Sequence, residues 1–389
     1  MTIRPRKERA TRTELGRLLR DKGALTPGWE AAFETVDRAA FLPTVMWPHR
    51  MADGSSTRVD KATDPDAWYE YADSDEPITT QWDGGRPDGQ PGTVPTSSCS
   101  APSVVFRMLD DLDLADGMRV LEIGTGTGWN AALLAHRAGA ANVVTVEIDP
   151  QVAETARGAL DRNGFRVGVR EGDGCVGRPG AAPFDRLMAT FGVRDFPRAW
   201  VRQVRPGGVI VAPWGTHFTH RDVVVELRVD GDGRAASGRF LRLVEFMKDR
   251  GRRATRPGHE EYLPDGWPGG ADALETRLPA DAFEPFTSFE FTAGLRVPGC
   301  ELMTAVRDGA RNVWLYSLTD RSWAAALYEP GQSVTKAYQA GGRRLWDEVE
   351  TAYAWWQAQG SPDVDRFGLT VTAGGLQAWL DEPGAHWSL

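Results

Sequence analysis

The amino-acid sequence predicts an α/β fold: a doubly wound, mostly parallel sheet, with a helical N-terminal segment before it and an extra mixed α+β C-terminal domain after it. Three observations carry this prediction. Between residues 103 and 214, short apolar runs of strand length alternate with longer amphipathic runs, the pattern that builds parallel sheets. A glycine-rich turn, "LEIGTGTG", joins a strand to a helix at the head of that alternation. Past about residue 250 the rhythm is lost and tryptophan gathers, at Trp314, Trp323, Trp346, Trp355, Trp356, Trp379 and Trp387. The 389 residues exceed one ordinary domain. The expected division is 1–95 for N-terminal helices and a long loop, 96–250 for the core, and 251–389 for the tryptophan-rich domain.

Each element follows from its residues. In "ELGRLLRDKGAL", Leu15, Leu18 and Leu19 recur at helical spacing and Gly23 stops the run. "PGWEAAFETVDRAAFLP" reads as a second helix ending at Pro43. Residues 47–95 are rich in Asp, Gly and Pro and weak in periodicity, so they read as a long loop ordered by Trp68, Tyr69 and Trp82. "SVVFRMLDDL" is a helix for which Ser103 is the expected cap. "RVLEIG", "NVVTVEID", "RVGVREGDG", "FDRLMATFG" and "GGVIVAPWG" are strands, and "WNAALLAHRAG", "PQVAETARGALDRNG" and "AWVRQV" the helices between them. "DVVVELRV" and "ASGRFLRLVEFM" are strands joined by the hairpin signal "DGDG". Beyond the irregular "RGRRATRPGHEEYLPDGWPGG" come short strands such as "NVWLYSL" and "FGLTVTAGG" and one strong helix, "GRRLWDEVETAYAWWQAQG". Trp355 and Trp356 are adjacent there and cannot share a face.

Composition excludes several classes. The net charge of −9 argues against nucleic acid as a partner, because phosphate neutralisation needs clustered Lys and Arg. Two basic runs dissent, "RPRKER" at 4–9 and "MKDRGRRATR" at 247–256; they read as solvated segments or as a basic rim for an acidic peptide. Three scattered cysteines give neither a disulfide framework nor a zinc spacing, and six scattered histidines form no ligand cluster, so no metal is expected. The opening "MTIRPRKERATRTE" has no apolar targeting core and no apolar run reaches membrane-span length. The expectation is a cytoplasmic protein with no membrane partner.

The glycine turn places Gly124, Gly126 and Gly128 at the carboxyl end of the first strand, where open α/β sheets bind ligands. The spacing G-x-G-x-G is not the dinucleotide G-x-G-x-x-G, and the Lys and Ser/Thr of a phosphate loop are missing. Glu122 precedes the turn. Glu147 ends the second strand, where a carboxylate accepts from ribose hydroxyls, and Asp173 in "EGDG" can accept from an adenine amino group. Ribose, adenine and a cationic amino-acid tail together describe S-adenosylmethionine. Glycines serving only close helix–strand packing is the alternative.

Ahead of the turn stands "VPTSSCSAPS", with five hydroxyl side chains and one thiol. Ser98 and Ser100 read either as receivers of a substrate group or as helix caps. Thr96 and Ser97 suit substrate contact or loop solvation. Cys99 lacks the His or Asn context of a nucleophile.

On "VDRAAFLP", "EPITTQ", "CSAPSVVFRML", "VLEIGTGTGWNAALLA", "VVTVEID", "EGDG", "FDRLMAT", "RPGGVIVAPWG" and "RFLRLV", residues from about 12 to 245 resemble the protein-L-isoaspartate O-methyltransferase family. The resemblance implies a Rossmann-like class I methyltransferase core that uses S-adenosylmethionine. It implies a cofactor site of Glu122, Gly124, Thr125, Gly126, Gly128, Trp129, Asn130, Glu147, Ile148, Asp173 and Gly174. It puts Ser98 and Ser100 on the family's Thr-x-Ser pair beside methyl donor and substrate carboxylate, as the catalytic pair. Thr96, Ser97, Cys99, Thr190 and Phe191 would lie along the substrate.

Some features depart from that family. Ser97 replaces its Gln, Ser103 a frequent aromatic or His, and Trp129 a Tyr; Phe191 is bulky where small residues are usual; and residues 47–95 and the C-terminal domain read as additions. With these, the chain is similar to the branch that accompanies ribosomally made modified peptides: lanthipeptides, lasso peptides and graspetides. That likeness implies methylation of an aspartate side chain in a modified precursor peptide, the ester then closing to an aspartimide. The C-terminal domain would be a peptide-binding accessory. General repair methylation of isoaspartyl peptides is the alternative, and a degenerate fold that only binds peptide is a third reading.

Overall fold

The computed structural model describes residues 9–50, 54–85, 91–252, 256–264, 266–331 and 335–389. Of the two basic runs, residues 4–8 and 253–255 lie outside the described residues. The chain forms two compact units. One lies within Met1–Phe191, Pro197–Ala212 and Arg228–Ala235, the other within Gly192–Phe196, Pro213–Leu227 and Ala236–Leu389. The division expected at residue 250 is therefore not where the chain parts.

In the first unit, α1 (Ala10–Asp21) buries Leu15 and Leu19, leaves Leu18 exposed, and is followed by Gly23 at φ 62°. The second helix is shorter than its sequence suggests: α2 (Glu30–Thr35) gives way to a 3-10 turn at Arg38–Phe41. The side chain of Asp37 accepts from the amide of Ala39 and so offers the backbone an alternative to continuing the helix.

The expected loop of residues 47–95 is a small antiparallel sheet instead. Its strands are β1 (Val45–Arg50), β2 (Ser55–Ser56), β3 (Val59–Asp60), β4 (Ile78–Trp82) and β5 (Pro95–Cys99). They run in the order β2-β1-β4-β5, with β3 also on β1. Helix α3 (Pro65–Ala72) packs Trp68 into a core with Met46, Val59 and Ile78. Strands this short show no legible alternation, and their Asp- and Gly-rich connections dominate the composition. Helix α4 (Pro102–Asp111) follows. Ser103 does not cap it by its hydroxyl; instead its amide donates to Asp75 Oδ1 at 2.8 Å.

The alternating region folds as read: β6 (Val120–Ile123), α5 (Trp129–Ala138), β7 (Val143–Glu147), α6 (Pro150–Arg162), β8 (Gly168–Glu171), β9 (Phe184–Ala189), α7 (Arg198–Gln203) and β10 (Val204–Trp214). The order is β10-β9-β6-β7-β8 and every pairing is parallel. The chain leaves β6 in one direction and later returns to its other side. The reversal between β6 and β9 is the topological switch point, where a ligand crevice opens at the carboxyl ends of the strands.

Strands β11 (Asp222–Val229) and β12 (Ala236–Val244) are neighbours across the "DGDG" turn, and Asp222–Leu227 and β12 count with the second unit. A five-stranded antiparallel sheet holds β13 (Asp272–Thr276), β14 (Cys300–Arg307), β15 (Ala310–Ser317), β16 (Trp323–Tyr328) and β17 (Thr335–Ala340), in the order β13-β17-β16-β15-β14. Helices α8 (His259–Tyr262), α9 (Ser288–Arg296) and α10 (Leu345–Ala358) accompany it. Phe283, Phe289, Leu315, Ala324 and the fully buried Trp346 share its main core. Trp355 and Trp356 are both half-buried, one against Phe367 and Trp387, the other against Phe289. The chain closes with β18 (Phe367–Thr372), β19 (Gly375–Leu380) and β20 (His386–Ser388). Strand β12 pairs antiparallel with β18, Ala236 opposite Val371 and Arg239 opposite Gly368, so residues on both sides of position 250 share one ladder. Among the described residues no helix is long and apolar enough to cross a membrane.

Candidate functional site

The site grows from the turn between β6 and α5. Gly124 has φ 95° and Gly126 φ 53°, values L side chains rarely adopt. A Cβ on Gly124 would stand 2.5 Å from Thr190 Oγ1 and 3.1 Å from the Phe191 ring; one on Gly126 would stand 3.2 Å from the carbonyl oxygen of Ser98. The turn is thus wedged between the end of β9 and the end of β5, at the switch point. Gly128 is the N-terminal cap position of α5, and Gly174 backs onto Ile123 and Phe191.

The three acidic residues part company. Glu147 is nearly buried; Oε2 accepts from the Gly126 amide at 3.0 Å and Oε1 from the Asp149 amide at 3.1 Å. Next to it, the apolar side chain of Ile148 is 43% exposed. Asp173 is exposed and accepts from the Cys175 amide at 2.8 Å. Glu122, expected at the cofactor, is wholly buried, and its carboxyl is bonded by Asn130 Nδ2 at 2.7 Å and by the Thr145 hydroxyl. Burial raises its pKa to about 7 against the lowering effect of those bonds. Thr125 joins the same network through Thr145 at 2.7 Å. Glu122, Thr125 and Asn130 therefore brace the turn from below. Trp129 is buried edge-on against Phe106.

The hydroxyl row lies on β5, and strand alternation sorts it. Ser97 and Cys99 are buried, while Thr96, Ser98 and Ser100 are half-buried on alternate positions. Ser98 stands opposite Thr79 of β4. Thr96 Oγ1 donates to Gln81 Oε1 at 2.7 Å, and Gln81 Nε2 donates to Asp149 Oδ2 at 3.1 Å. The pleat turns Ser97 and Cys99 inward, away from the face that carries Thr96, Ser98 and Ser100. Thr190 is half-buried, and its hydroxyl donates to the carbonyls of Gly124 at 2.5 Å and Ile123 at 3.1 Å, which holds the turn. Phe191 remains half-exposed beside the turn, its ring 6.4 Å from that of Trp200.

Sequence reasoning missed Arg38 and Gln81. Arg38 is buried and bonds the carbonyls of Cys99 and Ser100, each at 3.1 Å. A charge set among Val36, Ala39, Ala40, Phe41 and Leu42 was the available signal; Gln81 gave none.

The residues present fit S-adenosylmethionine. Glu147 and Asp173 offer carboxylate acceptors, Ile148 an exposed apolar surface for a flat ring, and the glycine turn a cradle that any Cβ would fill. Among the described residues no cluster suited to a metal ion occurs.

The family model "Protein-L-isoaspartate(D-aspartate) O-methyltransferase" matches residues 58–246. The matched range takes in residues 58–95 of the 47–95 segment. The protein-L-isoaspartate O-methyltransferase of Pyrococcus horikoshii is 35% identical over 190 residues, 48% of this chain and 80% of that protein. That of Thermococcus onnurineus is 38% identical over 185 residues, 46% and 77% of the respective chains. A solved structure titled protein-L-isoaspartate O-methyltransferase aligns with a TM-score of 0.54 at 20% identity, covering 95% of this chain and 100% of that one. That last likeness is one of fold, and it runs well past residue 250.

Proposed function

The chain belongs to the protein-L-isoaspartate O-methyltransferase family and is an S-adenosylmethionine-dependent carboxyl methyltransferase; from that premise we propose that it methylates the free carboxylate of isoaspartyl residues in peptides. One observation carries the reading. Gly126 is bonded to Glu147 on the donor side and abuts the Ser98 backbone on the acceptor side, so a single turn serves both.

The chemistry asks little of the protein beyond alignment. S-adenosylmethionine supplies an electrophilic methyl on a sulfonium, so the ester bond forms as the carbon–sulfur bond breaks. A carboxylate is already ionised at neutral pH and needs no general base. Ser98 and Ser100 would donate hydrogen bonds to it and fix one oxygen in line, without the neutralisation that Lys or Arg would impose. Phe191 and Ile148 would keep water from a site where opposite charges cancel.

The narrower reading, an aspartate in a modified precursor peptide that then closes to an aspartimide, leaned on two supposed additions. The matched family range reaches into the first, a structure alike in fold covers most of the chain, and the relatives are isoaspartyl methyltransferases, so general isoaspartyl methylation is preferred. Bulky Phe191 remains in its favour. The second unit is proposed as a peptide-holding accessory, on the strength of Trp267, which is 53% exposed and leans on Trp314, Trp323 and Tyr338.

Mass spectrometry on unrelated short isoaspartyl peptides and their aspartyl counterparts tests the reading. Methyl gain confined to the isoaspartyl set, with Ser100→Ala slowed about 100-fold, is the expected result. Methylation of ordinary aspartate in a constrained peptide alone restores the narrower reading.

A further inference from the structure

We propose that Arg38 is a positioning residue for methyl transfer, acting through Ser100. It is only 4% exposed, yet it carries a full charge that must be matched by dipoles. Nη1 donates to the carbonyls of Ala72 at 3.4 Å and Ser74 at 3.0 Å; Nη2 donates to those of Glu76 at 2.8 Å, Cys99 at 3.1 Å and Ser100 at 3.1 Å; Nε faces Cys99 Sγ at 3.4 Å. The guanidinium also lies 5.6 Å from the Trp129 ring, at the first residue of α5.

One cation thereby ties three segments that meet at the site: the turn after α3, the end of β5 and the head of the helix after the glycine turn. The Ser100 backbone is held on both sides. Its carbonyl is fixed by Arg38, and three residues on the Ser103 amide is fixed by Asp75, from the same 72–76 turn that Arg38 holds. The Ser100 side chain stays half-exposed. The four N–H groups on Nη1 and Nη2 are shared among five carbonyls while Nε–H faces the Cys99 sulfur, a planar spread of donors that the three hydrogens of a lysine ammonium cannot reproduce. Loss of the fork lets the end of β5 drift from the glycine turn, and displacements on the order of 1 Å slow such a reaction about 100-fold.

The inference rests on the role given to Ser100, so the test is a cycle of Arg38→Lys, Ser100→Ala and the double variant. It compares kcat on an isoaspartyl peptide, and S-adenosylmethionine affinity by calorimetry. Arg38→Lys should lower kcat about 100-fold with donor affinity within about threefold, and the double variant should be no slower than Ser100→Ala alone. Losses that multiply, or a near-normal Arg38→Lys, overturn the role of Arg38. A near-normal Ser100→Ala overturns the underlying reading instead. Arg38→Ala assayed with added guanidinium chloride gives a second measurement. Recovery of kcat of about tenfold supports positioning, and absence of rescue in a variant that still binds the donor opposes it.

Discussion

The amide of Gly126 donates to Oε2 of Glu147 across 3.0 Å, so the carboxylate that ends β7 also sets the conformation of the glycine turn. Replacing Glu147 by Ala would remove the proposed ribose acceptor and strand that amide. Such a loss amounts to about 2–3 kcal/mol, or a weakening of roughly 30- to 150-fold in S-adenosylmethionine affinity. Calorimetric titration of Glu147→Ala against the parent checks this; an unchanged dissociation constant would remove Glu147 from the site.

Glu122 predicts an unusual pH response. Its pKa is raised by burial to about 7 from an ordinary 4.5, so the folded state binds its proton more tightly than the unfolded chain does. The sign follows: this group leaves stability untouched below pH 4.5, subtracts progressively between 4.5 and 7, and subtracts fully above 7. Gln reproduces the neutral form, accepting from Asn130 and donating to Thr145. Glu122→Gln should therefore match the parent near pH 4.5 and exceed it above pH 7 by about 3 kcal/mol. Urea melts at the two pH values decide it.

Much of this was legible in the sequence, and the gaps have physical causes. The order from β6 to β10 could be read because buried parallel strands are continuous apolar runs, with Gly124 and Glu147 at their ends. The small sheet could not be read, since β2 and β3 have two residues each and leave no period to detect. Within the site, the hydroxyl row was visible as composition, but which residues face out depended on whether the segment is a strand. Once it is, Ser97 and Cys99 turn inward together. Glu122 was misplaced for a related reason: its position beside the turn is fixed by sequence, but its direction is fixed by Asn130 and Thr145.

The three thiols offer a check on the same pleat. Cys99, Cys175 and Cys300 are all buried, and burial pushes the Cys300 thiol upward. A disulfide reagent such as DTNB should leave all three untouched in native buffer and titrate all three in urea. A fast-reacting Cys99 in the native protein would contradict the orientation of β5.

Trp267 tests the accessory proposal. Because it is more than half exposed, its removal should leave the fold intact. Trp267→Ala is expected to raise KM for long peptides about tenfold, leaving short peptides and kcat unaffected. Equal behaviour on long and short peptides would assign the ring to packing alone.

The ladder between β12 and β18 joins Ser237 to Thr370, whose hydroxyls lie 2.8 Å apart across 133 positions. During synthesis, β12 leaves the ribosome long before its partner exists. Until the last few dozen residues emerge, it presents an open row of amides and carbonyls to any passing strand. Contacts this distant in the chain form slowly. A chain cut near position 250 would keep β11 beside β12 but leave the other edge of β12 without its partner, so that edge is the place where such a fragment is expected to meet other strands.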